Sequence, residues 1–245
     1  MYQNKKILAL IPARGGSKGL PHKNTLKLCG KPVIAWTIDQ ARRSRHLDRI
    51  IVSTDSLLIA KVAKKYGAEV PFMRPGELAG DEARSIDVVL HAINFLKSQG
   101  GEYDYLVLLE PTSPLRETSD IDLAIEKLLN NSSGALSLVS VCRTEAAHPA
   151  FDVTVGEAGF LVPYEDKFFK VQRRQEISDV YFFEGTIYIA SVPSLLEGKG
   201  FFHEKTIPYI VPRWKSPELD ELLDFVTIEA ILKNKKKMTR KAIEE

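Results

Sequence analysis

Thiol chemistry has little to work with in this chain. Its 245 residues hold two cysteines, Cys29 and Cys142, far apart and outside any metal-ligand spacing. Two such thiols are too few for a disulfide framework and lack the spacing of a zinc knuckle, and a reducing cytoplasm is the expected setting. Charge of one sign is missing as well. Thirty-four Lys and Arg against 32 Asp and Glu leave a formal net charge of +2, so no general basic field recruits nucleic acid. The densest basic stretch, Lys233 to Lys237 with Arg240 and Lys241, is explained by the solvated end of a C-terminal helix at least as well as by a nucleic-acid patch. No apolar run approaches the ~20 residues of a membrane span. The polar residues after Met1 do not form the apolar stretch of a signal peptide, so a soluble, intracellular protein without membrane contact is expected. The five histidines fall in no ligand spacing, and none declares itself as a catalytic base. Both common phosphate-loop motifs, GxxxxGK[ST] and GxGxxG, are absent, which argues against a P-loop enzyme and a dinucleotide-dependent one.

What is present is an ordinary globular composition, 44% hydrophobic and 27% charged, in a length that suits one α/β domain over residues 1–245. The first half alternates strand and helix. Ile7–Ile11 reads as a buried strand, and Val33–Arg43 places Val33, Ile34, Ile38 and Ala41 on one helix face. Arg49–Thr54 is a second strand. Leu57–Tyr66 is a helix stopped by Gly67, with a short strand at Ala68–Val70. Ser85 or Asp87 is the expected cap of a helix to Lys97. Tyr105–Leu109 is a strand, Asp120–Asn130 a helix and Ala135–Val141 a strand. This βαβα rhythm predicts a doubly wound, mostly parallel, Rossmann-like sheet with helices on both faces. From Cys142 to Ser178 the rhythm breaks, and the region of about 142–190 reads as an insertion or arm. Val180–Ser191 is again β-rich, and a final helix is expected over Ser216–Lys233.

Immediately after the first strand, three glycines, two lysines and an arginine fall within Ile11–Asn24. Glycines let backbone N–H groups turn toward an anion at close range, and the cations neutralise its charge. The carboxyl end of a first strand is also where an open α/β sheet holds its ligand. A nucleoside triphosphate is the expected ligand. Arg14 suits bidentate phosphate contact, and Lys23 supplies a compact point charge.

The string Ile11-Pro12-Ala13-Arg14-Gly15-Gly16-Ser17-Lys18-Gly19-Leu20-Pro21-His22-Lys23-Asn24 resembles the nucleotide-binding signature of the acylneuraminate cytidylyltransferases, the CMP-sialic acid synthetase family. Further blocks resemble that family in order. They are Val52-Ser53-Thr54-Asp55, Arg74-Pro75 with Glu77-Leu78-Ala79, Pro111-Thr112-Ser113-Pro114-Leu115-Arg116, Arg174-Gln175 and Gly185-Thr186-Ile187-Tyr188. The resemblance implies transfer of CMP from CTP to a nonulosonic sugar acid with release of pyrophosphate. It also implies a homodimer whose inserted region exchanges contacts between subunits. Ala13, Arg14, Gly15, Gly16, Ser17, Lys18, Lys23 and Asn24 would surround the nucleotide, with Arg74 and Ser85 beside the nucleoside.

Nucleotidyl transfer must neutralise charge on the α-phosphate and the leaving pyrophosphate, and Mg²⁺ is the implied cofactor. At the family's acidic pair this chain has Glu218-Leu219-Asp220, so Asp220 and Glu218 are the expected metal ligands. Arg14, Lys23 and Asp220 are the residues expected to carry catalysis. Glu110 can reach a metal or a sugar hydroxyl, or pair with Arg116. On the acceptor side the resemblance implies Arg174, Gln175, Phe201 and Phe202, although core packing accounts equally well for the two phenylalanines. Where the family usually has Arg-x-Asn-Gly, this chain has Phe182-Phe183-Glu184-Gly185. That change brings Glu184 into the candidate site and favours a legionaminic- or pseudaminic-type sugar over N-acetylneuraminic acid. A 3-deoxy-manno-octulosonate acceptor, GTP as donor, and a non-catalytic sensor are the alternatives.

Overall fold

Five consecutive apolar residues without alternation predict a strand covered on both faces, and β1 (Ile7–Pro12) is that strand: Ile7 to Ile11 are fully buried. The computed structural model describes residues 1–17, 19–145, 148–164 and 178–237. After β1 come a two-residue hairpin of β2 (Lys27–Leu28) and β3 (Lys31–Pro32), then α1 (Val33–Arg43), β4 (Arg49–Ser53), α2 (Leu57–Lys65) and α3 (Ser85–Ser98). They are followed by β5 (Tyr105–Leu108), α4 (Thr118–Leu129), β6 (Ser137–Arg143), and a hairpin of β7 (Val153–Val155) and β8 (Leu161–Pro163). β9 (Tyr181–Ser191), α5 (Val192–Leu196), β10 (Thr206–Val211) and α6 (Leu222–Lys233) complete the described chain.

Among the described residues, six strands form one sheet in the order β10-β6-β9-β5-β1-β4. β9 runs antiparallel to both β5 and β6, and the other neighbouring pairs are parallel. Side chains alternate across the sheet as strand geometry demands. Ile7, Ala9 and Ile11 meet α1, α2 and α4 in one core, while Leu8 and Leu10 meet α3 and α5 in the other. The sheet is therefore doubly wound and mostly parallel, as expected. A third apolar cluster, around Leu28, Leu115, Leu219 and Ile228, docks α6 beside the first core. Among the described residues, no helix is long and apolar enough to cross a membrane.

The structure departs from the sequence expectations in four places. Ala68–Val70 is not a strand but a single bridge between Ile51 and Glu69. α3 begins at Ser85 after Arg84, and no side chain caps it; Asp87 instead takes a fork of two hydrogen bonds from Arg84, at 2.8 and 2.9 Å. The expected last helix starts at Leu222 instead of Ser216, because Pro217 disfavours helix before it and a Glu221–Asp224 capping box sets the first turn. β10 was unforeseen: its six residues sit at the sheet edge, half covered, without a clean alternation. Cys142 is buried, but Cys29 is exposed at the β2–β3 turn, where it and Gly30 both take positive φ, 47° and 80°.

Candidate active site at the carboxyl edge of the sheet

A cleft of about 550 Å³ opens where β1 and β5 end. Four segments meet there: the loop after β1, the stretch from Arg74 to Ser85, the Glu110-Pro111-Thr112 turn after β5, and the Glu218-Leu219-Asp220 strip before α6. Arg14, Ser17, Lys23, Asn24, Arg74, Ser85, Glu110, Glu218 and Asp220, all expected from sequence, line it together.

The loop is shaped by its own backbone bonds. Ala13 is buried, and its N–H donates to the Ser53 carbonyl at 2.9 Å. The Gly15 N–H donates to Asp55 Oδ1 at 2.8 Å, and the buried Asn24 amide donates to the Arg14 carbonyl at 3.0 Å. Asn24 thus folds the loop back on itself. Gly19 passes so close to the acidic strip that a Cβ there would lie 2.5 Å from the Asp220 carbonyl oxygen, which only glycine permits. Gly16 has open space around it. Arg14 and Lys23 face acids across the cleft, Arg14 with Asp81 at 2.8 Å and Lys23 with Asp220 at 2.9 Å. Lys18 lies outside the described residues.

Arg74 is buried beneath the cleft. Its Nε donates to Ser53 Oγ at 3.0 Å and its Nη2 to the Ser53 carbonyl at 2.5 Å, tying the Arg74–Ser85 stretch to the end of β4. Burial pulls its pKa down to about 10, so it stays charged at neutral pH.

On the other wall Glu218 is held by backbone. Glu218 Oε1 accepts the Gly185 N–H at 2.6 Å. Burial first, and the neighbouring Glu110 next, push its carboxyl up to about 7. Burial also raises Glu110, against the opposing pull of Arg116. Arg116 reaches Glu110 through the main chain, its Nη2 donating to the Glu110 carbonyl oxygen at 2.8 Å. Arg116 is fully buried, also donates to the carbonyls of Thr186 and Gly185, and is itself pulled down to about 10 by burial. It joins the turn after β5 to β9.

Some expectations need correction. Glu184 does not line the cleft. It is buried, its Oε2 accepting from the Thr186 N–H at 3.1 Å and Oγ1 at 2.6 Å, with Oε1 unpartnered. The two phenylalanines part company, and neither lines the cleft. Phe201 packs on Tyr188 at 5.8 Å beside the second core, as the core reading had it. Phe202 is 69% exposed and stacks edge-on against Phe183 at 4.9 Å. Arg174 and Gln175 lie outside the described residues. Sequence reasoning does not reach Asp55, Asp81 and Gly185 as site residues, although Asp55 and Gly185 lie inside family-like blocks. Among the described residues, no group of three or more His, Cys, Asp or Glu side chains could hold a metal by itself.

Residues 8–191 match the family described as Cytidylyltransferase. The chain is 36% identical over 230 residues to a CMP-N,N'-diacetyllegionaminic acid synthase of Legionella pneumophila, covering 93% of this chain and 96% of that protein. It is 34% identical over 222 residues to a pseudaminic acid cytidylyltransferase of Campylobacter jejuni, covering 89% and 93%. A solved CMP:2-keto-3-deoxy-manno-octonic acid synthetase, complexed with CTP, shares the fold at a TM-score of 0.70 and 17% identity, over 94% of this chain and 99% of that one. With that match over most of its length and relatives this similar from end to end, the chain belongs to the cytidylyltransferase family and is a nucleotidyltransferase enzyme.

Proposed function

We propose that this enzyme transfers CMP from CTP to the anomeric hydroxyl of a nonulosonic acid of the legionaminic or pseudaminic type, in a Mg²⁺-dependent reaction that releases pyrophosphate. The observation that carries this reading is the meeting, in one cleft, of the loop cations Arg14 and Lys23 with the carboxylates of Glu110, Glu218 and Asp220. The names of the relatives support the acceptor class.

In the proposed reaction the sugar's C2 oxygen attacks the α-phosphorus. The new O–P bond forms as the bond to the α,β-bridging oxygen breaks, pyrophosphate leaves, and the hydroxyl proton passes to solvent. Arg14 and Lys23 exchange Asp81 and Asp220 for phosphate oxygens, and the loop amides add neutral donors. Asp220 and Glu218, with Glu110 behind them, are hard oxygen donors of the kind Mg²⁺ takes, and one or two protein carboxylates with nucleotide phosphates complete its usual set. The donor set therefore fits a metal that arrives with the nucleotide. When bound, the ion neutralises charge on the α-phosphate and leaving group. Leu219 anchors the strip in the third apolar cluster and its N–H donates to the Thr112 carbonyl at 2.8 Å, which leaves Glu218 and Asp220 both facing the cleft.

We further infer a homodimer formed through the β7–β8 hairpin of the 142–190 region, where Val155, Phe160 and Leu161 are largely exposed, whereas β9 of that region is a central strand of the sheet. Two unpaired cysteines suit a cytoplasmic enzyme. Pyrophosphate release from CTP, ATP, GTP and UTP against a panel of sugar acids tests the activity. Release that requires CTP, Mg²⁺ and a legionaminic- or pseudaminic-type acid is expected; equal turnover of neuraminic acid would remove the acceptor assignment, and none with any pair would favour a sensor.

A further inference from the structure

We propose that Gly185 is a positioning residue that aims the Glu218 carboxylate at the metal, and that a bulge in β9 exists to present it. The inference rests on Glu218 being a Mg²⁺ ligand, as proposed above. β6 and β9 pair Val139 with Tyr188 and Val141 with Phe183, so Glu184, Gly185, Thr186 and Ile187 lie opposite Ser140 alone. Bulges of this kind bend a strand and redirect its groups beside functional sites.

The bulge is tied internally. The Ser140 hydroxyl donates to the Glu184 carbonyl and accepts the Ile187 N–H, both at 2.8 Å. The Glu184 carboxylate takes the Thr186 N–H and hydroxyl. Arg116 grips the Thr186 and Gly185 carbonyls. The Gly185 N–H is turned toward Glu218 and meets its Oε1.

Space makes the second demand. A Cβ at position 185 would lie 2.8 Å from Ser113 Oγ, 2.9 Å from Glu110 Oε2 and 3.1 Å from Glu218 Oε2. These are a hydroxyl and two carboxylate ends, not backbone. A methyl group there displaces the acids and leaves the sheet in place. Glycine leaves clear the point where three side-chain ends converge, so the two carboxylates keep their places without a methyl group between them.

The test uses Mn²⁺ as probe, titrated into the full chain with CTP present and followed by electron paramagnetic resonance. Gly185→Ala should weaken Mn²⁺ binding about tenfold or more, the usual effect of losing a group that orients a ligand. Its CTP affinity in EDTA and its melting temperature should stay near wild type. Ser113→Ala/Gly185→Ala, which removes the nearest crowding atom, should regain part of the lost affinity. If Gly185→Ala fails to fold, the double variant measured against Ser113→Ala alone carries the comparison and should still bind Mn²⁺ more weakly. Wild-type Mn²⁺ binding by these alanine variants, while Glu218→Gln loses it, overturns the proposal alone. Wild-type binding by Glu218→Gln overturns the metal role of Glu218, and this proposal with it.

Discussion

On the loop side of the cleft, Arg14 and Lys23 meet Asp81 and Asp220 through side-chain tips that water also touches; on the β9 side, Arg116, Glu184 and Glu218 are bound to backbone groups in the interior. Exposed ion pairs are worth about 0–1 kcal/mol and are readily exchanged for another anion. Buried charges tied to main chain are different, because removing one partner strands the rest. One wall of the site is therefore built to trade partners when a triphosphate arrives, and the other is built to stay still.

The contrast is broken most severely at Arg116. Arg116→Ala should destabilise the fold by about 3–5 kcal/mol, since it leaves Glu184 and Glu110 without the cation that offsets them. Urea denaturation checks this, and a loss under about 1 kcal/mol would place Arg116 among the exchangeable charges instead. Asp220→Ala should lower turnover by roughly a hundredfold or more, in the range seen when a group that stabilises developing charge is removed. Its melting temperature should barely change, because the Asp220 side chain is 71% exposed. Steady-state kinetics at saturating CTP measures it, and unchanged turnover would take Asp220 out of the mechanism.

A smaller effect follows from Glu218, whose carboxyl sits at about 7 against an ordinary 4.5. In metal-free protein the folded state keeps this proton where the unfolded chain has lost it. The contribution is therefore fully present below pH 4.5 and is lost as pH rises through about 7. The melting temperature should fall across that window, and Glu218→Gln should flatten that part of the slope. An identical slope in the variant would mean that Glu218 is not held up. The least effect is expected at Asp81. Asp81→Asn should change stability by less than about 1 kcal/mol, while freeing Arg14 of a competitor and tightening CTP binding, as calorimetry would show. Weaker CTP binding would make Asp81 part of the nucleotide site.

The exchangeable wall was the legible one. Ile7 to Ile11 is apolar without a break, so β1 and the glycine-rich loop after it could be placed from neighbouring residues alone. The same holds for α1, whose buried face repeats at helical spacing. The rigid wall depends on partners far apart in the chain. Gly185 meets Glu218 across 33 residues, and Arg116 meets the Thr186 carbonyl across 70. Nothing local says that Glu184 turns inward while Gly185 turns its N–H to the cleft; the β6–β9 register shift decides it. The Glu218–Asp220 strip was found as an acidic pair but expected inside a helix. Pro217 and the Glu221–Asp224 box, both visible in sequence, are what keep it out.

CTP and a sugar acid are expected to meet in one cleft, and phosphorus NMR of the purified enzyme with CTP, Mg²⁺ and a legionaminic-type acid tests that directly. A phosphodiester resonance for the CMP-sugar should appear together with an equal amount of pyrophosphate, and both should form roughly a hundredfold more slowly with Asp220→Ala. Intact CTP, or pyrophosphate released without the sugar ester, would contradict it.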